Sequence, residues 1–380
     1  MRIQRRLGVL LGVHGRRSRA ASYAGIAAPV RNDREMQQRR RSVDGGSAQW
    51  VRRAVLGGAV CVLVLGAGAF ATAAPDGNGL ARSNDYRPPV VPTEPGPVQS
   101  EHLTAAWYLK AHPNATPMGT NDFNCKPSAE HPRPVILAHG TDASAYSDWS
   151  AVGPLLAQAG FCVFAPNYGG KPGAKSYGTE DLWMSSRQIG DFVDQVLAAT
   201  GAAQVDLVGF SQGASVTRYY INKLGGAPKV GHWVGLASPS YGGVMYGLVP
   251  IANAVPPLWG VYEKLTSLAA VQQAHGAPFM RELNAGGDTV PGVRYTTVGS
   301  RVDEMIQPFT NIALRGPGAE NIVLQDECPI NLTGHFHAVY DAFVQQLVLT
   351  ILDPKHAEEP TCTFVPLGTG IPEVILSGHS

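Results

Sequence analysis

Apolar and polar positions change period repeatedly between residues 101 and 366. Pro134-Val-Ile-Leu-Ala138 is an unbroken apolar run, the pattern of a strand buried on both faces. Trp149 to Ala159 predicts a helix, with Gly160 just past its end. Phe161 to Phe164 predicts the second strand. Ile189, Phe192, Val193, Val196 and Leu197 fall at i, i+3, i+4, i+7 and i+8, one face of a helix that stops at Gly201. Val205 to Val208 reads as a third strand, and Gln212 to Leu224 as a helix closed by Gly225. Val230–Leu236, Val293–Val298 and Ile322–Leu324 predict three more strands, and Ala338–Leu352 a last helix. Strands alternating with helices predict an α/β fold, a mostly parallel central sheet with helices on both faces. Ser238 to Pro291 breaks the rhythm with an apolar, Gly/Pro-rich stretch, expected to be an insertion at one end of the sheet.

The flanks differ from this region. Residues 74–100 are rich in Pro, Gly, Asn and Asp and are expected to form a linker. Residues 367–380 form a tail with a short apolar patch and no functional reading. Charge is uneven. Residues 1–53 hold 13 arginines and no lysine against Asp33, Glu35 and Asp44, about +10, and the rest holds 17 basic and 26 acidic residues. A basic head can bind nucleic acid, but no aromatic pattern or motif for that follows. Instead Ala54 to Ala74 is an uncharged run, ending in the small-x-small site Ala71-Thr72-Ala73. Positive charge, an apolar run and small residues form an export signal. Cleavage before Ala74 releases the protein outside the cell; an uncut run is long enough to anchor it in the membrane facing the envelope. Val60 ahead of Cys61 argues against a lipoprotein. Met36 opens a more usual signal, so residues 1–35 are expected to be a start-site artefact, an idea that N-terminal sequencing of the precursor can reject.

Export changes the reading of the cysteines. Cys125, Cys162, Cys328 and Cys362 are an even set, and outside the cytoplasm such sets form disulfides. Three pairings are possible and sequence alone does not choose, though short loop closures favour Cys125–Cys162 and Cys328–Cys362. No Cys/His spacing suggests zinc, and no glycine loop suggests a phosphate site.

The candidate chemistry sits in Gly209-Phe210-Ser211-Gln212-Gly213, a G-x-S-x-G pattern. A glycine-rich chain supplies such a match by chance often enough that the pattern alone decides little. Its place between a strand and a helix is what makes Ser211 a candidate nucleophile, held out of the sheet on a sharp turn. A serine hydroxyl needs a histidine base. His335, in Gly334-His335-Phe-His337, follows the last strand and is preferred over His337; His275 reads as a surface residue and His232 lies on a strand. The acid must fall between serine and histidine in this chain order. Asp303, after the fifth strand, fits, with Glu304 and Asp288 as alternatives. The oxyanion of the tetrahedral intermediate needs two N–H donors, and those of Thr141 and Gln212 are the candidates. His139 precedes the serine and is expected to shape the Thr141 loop.

The ordered motifs resemble the secreted bacterial triacylglycerol lipases of lipase class 2, in the α/β-hydrolase superfamily. They are Pro132-Arg-Pro-Val-Ile-Leu-Ala-His-Gly140, Phe161-Cys-Val-Phe164 with Asn167-Tyr-Gly169, Val205 to Gly213, Leu283 to Gly292, Val302-Asp-Glu304 and Cys328-Pro329. The resemblance covers roughly residues 100–365. It implies an α/β-hydrolase fold and a serine esterase or lipase without cofactor or metal. It implies Ser211, Asp303 and His335 as nucleophile, acid and base, Thr141 and Gln212 as oxyanion residues, and the Cys125–Cys162 and Cys328–Cys362 pairing. Two features depart from the family pattern. Phe210 replaces the histidine of Gly-His-Ser-Gln-Gly, and the base lies in Gly-His-Phe-His rather than Glu-His-Leu-Gly.

The expected substrate is a lipid ester, met at a lipid–water interface, with no obligate protein partner and no nucleic acid. An acyltransferase or polyester depolymerase could use the same residues, and a catalytically silent envelope-associated binding protein is the non-enzymatic alternative. The apolar segment Tyr241 to Leu268, with Val244, Met245, Leu248 and Trp259, is expected either to line an acyl pocket or lid, or to pack as core. Trp183 and Met184 are candidates for the mouth of the site.

Overall fold

The computed structural model describes residues 86–244 and 267–377. The basic head, the export segment and residues 245–266, which hold most of the expected lid segment, lie outside the described residues.

Two short strands, β1 (Glu94–Gly96) and β2 (Ala115–Pro117), pair in parallel ahead of the main sheet. The main sheet comprises β3 (Val135–Ala138), β4 (Val163–Phe164), β5 (Val205–Phe210), β6 (Val230–Leu236), β7 (Arg294–Gly299) and β8 (Ala319–Val323). Their order is β4-β3-β5-β6-β7-β8, and every pair is parallel. The chain steps outward from β3 to β4, then returns across β3 to start β5. Strand order therefore reverses between β3 and β5, and in open parallel sheets the crevice at such a switch point is where ligands bind.

The described helices are α1 (His102–Ala111), α2 (Ala145–Trp149), α3 (Val152–Gln158), α4 (Leu182–Thr200), α5 (Gln212–Lys223), α6 (Leu268–Gln272), α7 (Pro278–Asn284), α8 (Leu324–Glu327), α9 (Ala342–Leu352) and α10 (Ile371–Ser377). Alternate residues of β3 feed two cores. Val135 and Leu137 pack with Trp149, Leu156, Phe343 and Leu347, from α2, α3 and α9. Ile136 and Ala138 pack with Ile189, Phe192, Val193 and Phe279, from α4 and α7. Side chains that alternate across a strand explain why the apolar run is unbroken: both faces are covered. Phe192 is fully buried, so truncation to alanine would cost about 3–5 kcal/mol.

The expected elements are present with instructive differences. The helix expected over Trp149–Ala159 is shorter, α3 over Val152–Gln158; Trp149 instead ends α2, a separate helix that was not expected. A continuous helix would drive the Pro154 ring into the Ser150 carbonyl, and that carbonyl instead accepts from Gln99 N–H. The last helix starts at Ala342 rather than Ala338, because the Asp341 side chain caps the Val344 N–H. The sixth strand lies earlier than expected, over Ala319–Val323, and Leu324 already begins α8. From Tyr86 onward the expected linker is docked: Val90 bridges Asn167, and Arg87 pairs with Glu180. Two disulfides join Cys125 to Cys162 and Cys328 to Cys362. Their separations of 37 and 34 residues correspond to about 4 kcal/mol each through loss of unfolded-chain entropy.

Candidate active site

The elbow between β5 and α5 forms because its flanks are glycine. A Cβ on Gly209 would lie 2.3 Å from Ala214 N, and one on Gly213 2.0 Å from the Ala138 carbonyl. With that space free, Ser211 takes φ 50°, ψ −117°, a sparsely populated conformation for a non-glycine residue. Its N–H is tied to the Leu236 carbonyl at 2.8 Å, and its side chain stands at the start of α5.

Two loops from further along the sheet's carboxyl edge meet it. The loop after β8 brings His335, whose Nε2 lies 3.0 Å from Ser211 Oγ. The loop after β7 brings Asp303, whose Oδ2 lies 3.0 Å from His335 Nδ1. Asp303 Oδ1 accepts from the N–H groups of Met305 at 2.9 Å and Ile306 at 2.6 Å. Those bonds fix the carboxylate and leave the second oxygen for the imidazole. With Asp303 accepting at Nδ1–H, Nε2 is left to accept the Ser211 proton. Burial acts to lower the His335 pKa. The charge and hydrogen bond of Asp303, backed by Glu304 and Asp148, outweigh it and hold the pKa above the ordinary imidazole value.

The alternatives sit elsewhere. His337 is only two residues on, yet it faces Asp341, Glu373 and Glu101, and burial pushes its pKa down. Glu304 takes the His335 backbone N–H on its carboxylate, so it braces the loop rather than the ring. Asp288 accepts from Tyr241 Oη and Arg315 N–H, His275 meets the Tyr241 carbonyl, and His232 lies between Thr296 and Arg294. His139 is buried and its pKa is driven down to about 4, partly offset by its bond to the Gly140 carbonyl. It stacks on Tyr168 at 4.2 Å, a neutral brace under the next loop. Trp183 and Met184 do not reach the cavity: Trp183 bonds Glu282 and packs edge-on against Phe279, and Met184 is buried.

Thr141, in the loop after β3, and Gln212, the first residue of α5, come together. Thr141 Oγ1 donates to Gln212 Oε1 at 2.6 Å, and Gln273 Nε2 reaches both, at 3.1 and 3.3 Å. This side-chain clamp locks the loop after β3 to the elbow. Gln273 belongs to the insertion and carries no sequence signal for such a role. A second residue missed by the sequence reading is Asp148. Its Oδ2 accepts the Gly140 N–H at 2.7 Å, one residue before Thr141. It is buried in α2, and burial raises its pKa to about 7 against the pull of the Gly140 bond and His335. Asp148 is the one charged residue between Asp142 and Lys171, and that was the available clue.

Ser211, His335 and Asp148 open on a cavity of about 240 Å³ with a mainly apolar wall that includes Phe210, Val244, Met305, Ile306, Val339 and Val374. Phe210, the departure from the family elbow, packs against the His335 ring at 5.1 Å. Val374 comes from α10, so the tail contributes a wall. A serine hydroxyl, an imidazole and a carboxylate in hydrogen-bonded sequence beside an apolar cavity form a layout that can support acyl-transfer chemistry.

A family model described as Lipase (class 2) matches residues 132–347, more than half of the chain. The chain belongs to the class 2 lipases. Among solved structures, lipase B of Aspergillus fumigatus is similar with a TM-score of 0.50 and 21% identity, over 65% of this chain and 57% of that one. The chain thus spans less than two thirds of that protein. Lipase BlEst2 of Bacillus licheniformis in its mature form is similar with a TM-score of 0.45 and 16% identity, over 60% and 94%. The likeness to lipase B is one of fold, the α/β-hydrolase fold that the family resemblance implied.

Proposed function

We propose that this class 2 lipase family member is an exported serine hydrolase that cleaves lipid acyl esters through an acyl-enzyme on Ser211. The observation that carries the reading is the hydrogen-bonded chain Asp303–His335–Ser211 opening into an apolar cavity. Ser211 Oγ attacks the acyl carbonyl carbon while His335 Nε2 takes its proton. Asp303 holds the imidazole in the required tautomer and stabilises the imidazolium. The N–H groups of Thr141 and Gln212 receive the developing oxyanion, kept in register by the Thr141–Gln212–Gln273 clamp. The imidazolium then protonates the departing alcohol. Water, deprotonated by His335, attacks the acyl-enzyme and releases the fatty acid and free Ser211.

The substrate reading rests on the wall and the rim. Ile375 and Leu376, next to Val374, are largely exposed, and apolar side chains beside a cavity mouth favour contact with a lipid–water interface. Triacylglycerol fits such a site. Two disulfides support export, since such bonds persist in oxidising compartments.

A fluorophosphonate probe with peptide mapping tests the assignment. Labelling of Ser211 that disappears in Ser211→Ala is expected; folded protein that stays unlabelled, or is labelled elsewhere, overturns it. Emulsified triacylglycerol against a soluble short-chain ester tests the substrate. Ile375→Ser/Leu376→Ser is expected to lower emulsion turnover severalfold and leave the soluble ester unchanged.

A further inference from the structure

At the amino edge of the sheet, away from Ser211, three side chains converge from distant parts of the chain. His131 precedes β3, Asp353 ends α9, and His356 lies in the turn that follows. His131 Nε2 is 3.0 Å from Asp353 Oδ2, and His356 Nδ1 is 2.8 Å from Asp353 Oδ1. One ligand atom from each residue lies within 4.8 Å of the other two. The two imidazole rings stand at 81°, so each presents a nitrogen to the carboxylate without stacking on the other.

We propose that His131, Asp353 and His356 bind a divalent transition metal, with Zn²⁺ the best match. Two imidazoles and one carboxylate are a borderline-soft donor set that suits zinc; calcium and magnesium demand more oxygens. Zinc bonds of about 2.0–2.2 Å in a tetrahedron place ligand atoms about 3.4 Å apart; the two nitrogen–oxygen contacts need to open by a few tenths of an ångström, and the donor atoms, all within 4.8 Å of one another, need to draw together around one point. The donors are held in advance. The His131 ring packs on Phe161 at 3.9 Å. The N–H of Asp353 is tied to the Leu349 carbonyl, and the Asp353 carbonyl accepts from Ala357. Asp353 also follows the last turn of α9, where helix carbonyls favour a cation.

Access and affinity follow from the surroundings. Asp353 and His356 line an open depression of about 430 Å³ together with Glu130, so water can enter and complete the coordination. Arg133, Arg294 and Lys355 line it too. Arg133 is paired with Asp206 and Arg294 contacts His232; the charges of Arg294 and Lys355 oppose a cation and weaken its binding. The ion would tie the entry to β3 to the exit of α9, far along the sheet from the ester site. Sequence spacing could not show this group, since His131 and Asp353 are 222 residues apart.

The test uses tag-free protein stripped with a chelator, titrated with ZnCl₂ at pH 7.5 by calorimetry and followed by thermal melting. One equivalent with a micromolar Kd and a raised Tm is expected. His356→Ala removes a half-exposed ligand and is expected to weaken binding at least tenfold and abolish the Tm rise. Its unliganded Tm and soluble-ester turnover stay at the parental level. His356→Gln, which keeps a polar side chain, is expected to behave alike. His335→Ala is expected to retain the zinc site. Absence of saturable binding, undiminished binding in both His356 variants, or loss of binding in His335→Ala overturns the proposal.

Discussion

The two edges of the sheet each hold a buried histidine 3.0 Å from a buried aspartate, His335 with Asp303 and His131 with Asp353. The pairs are alike in distance and burial, yet their outer partners differ. Asp303 spends its second oxygen on backbone N–H groups, and the far nitrogen of His335 faces a hydroxyl on a strained elbow. Asp353 gives its second oxygen to another histidine. A histidine–carboxylate pair is therefore not a catalytic feature in itself. On the two proposals made above, the third group is what separates them: a serine hydroxyl beside His335 and a second imidazole beside Asp353.

That contrast can be broken or sharpened by substitution. Ser211→Ala is expected to lower kcat/KM by roughly 10⁴–10⁶ without unfolding the protein, measured on a soluble ester with circular dichroism as the control. Asp303→Asn is expected to cost about 10⁴ by presenting the wrong tautomer to serine. Asp353→Asn, the matching change at the other edge, is expected to leave soluble-ester turnover within about twofold, because effects of distant sites are independent; a large loss would mean that the edges are coupled.

A smaller effect tests the electrostatics. The proposed mechanism needs neutral His335, whose pKa is held above its ordinary value of 6.5, so kcat/KM is expected to fall as pH drops through a point above that value. Asp148 contributes to the upward shift. Asp148→Asn keeps an acceptor for the Gly140 N–H and removes the charge. The acid limb is expected to move to lower pH by less than about one unit, read from a pH–rate profile. A limb that stays fixed would detach Asp148 from His335.

Much of this was legible in the chain because it depends on local rules. The period-two and period-3.6 patterns located the strands and helices, and Gly209 and Gly213 marked the elbow because the turn admits no Cβ there. Asp303 and His335 followed from chain order after the late strands. Pro154 and Asp341 set helix bounds by local rules as well, a proline ring and a capping carboxylate, which the apolar pattern masked. What the sequence hid depends on tertiary position. Gln273 and Asp148 matter through contacts with residues far off in sequence, and α10 earns its place only by packing Val374 into the cavity wall. His131 and His356 look like solvated polar residues until the fold sets Asp353 between them.

The assignment of the base rests on two histidines two positions apart, facing different partners. kcat/KM for His335→Ala and His337→Ala on one soluble ester compares them directly. The expected result is a loss of at least about 10³ for His335→Ala and a change within severalfold for His337→Ala. Equal losses, or a larger loss at His337, would contradict the Asp303–His335–Ser211 relay.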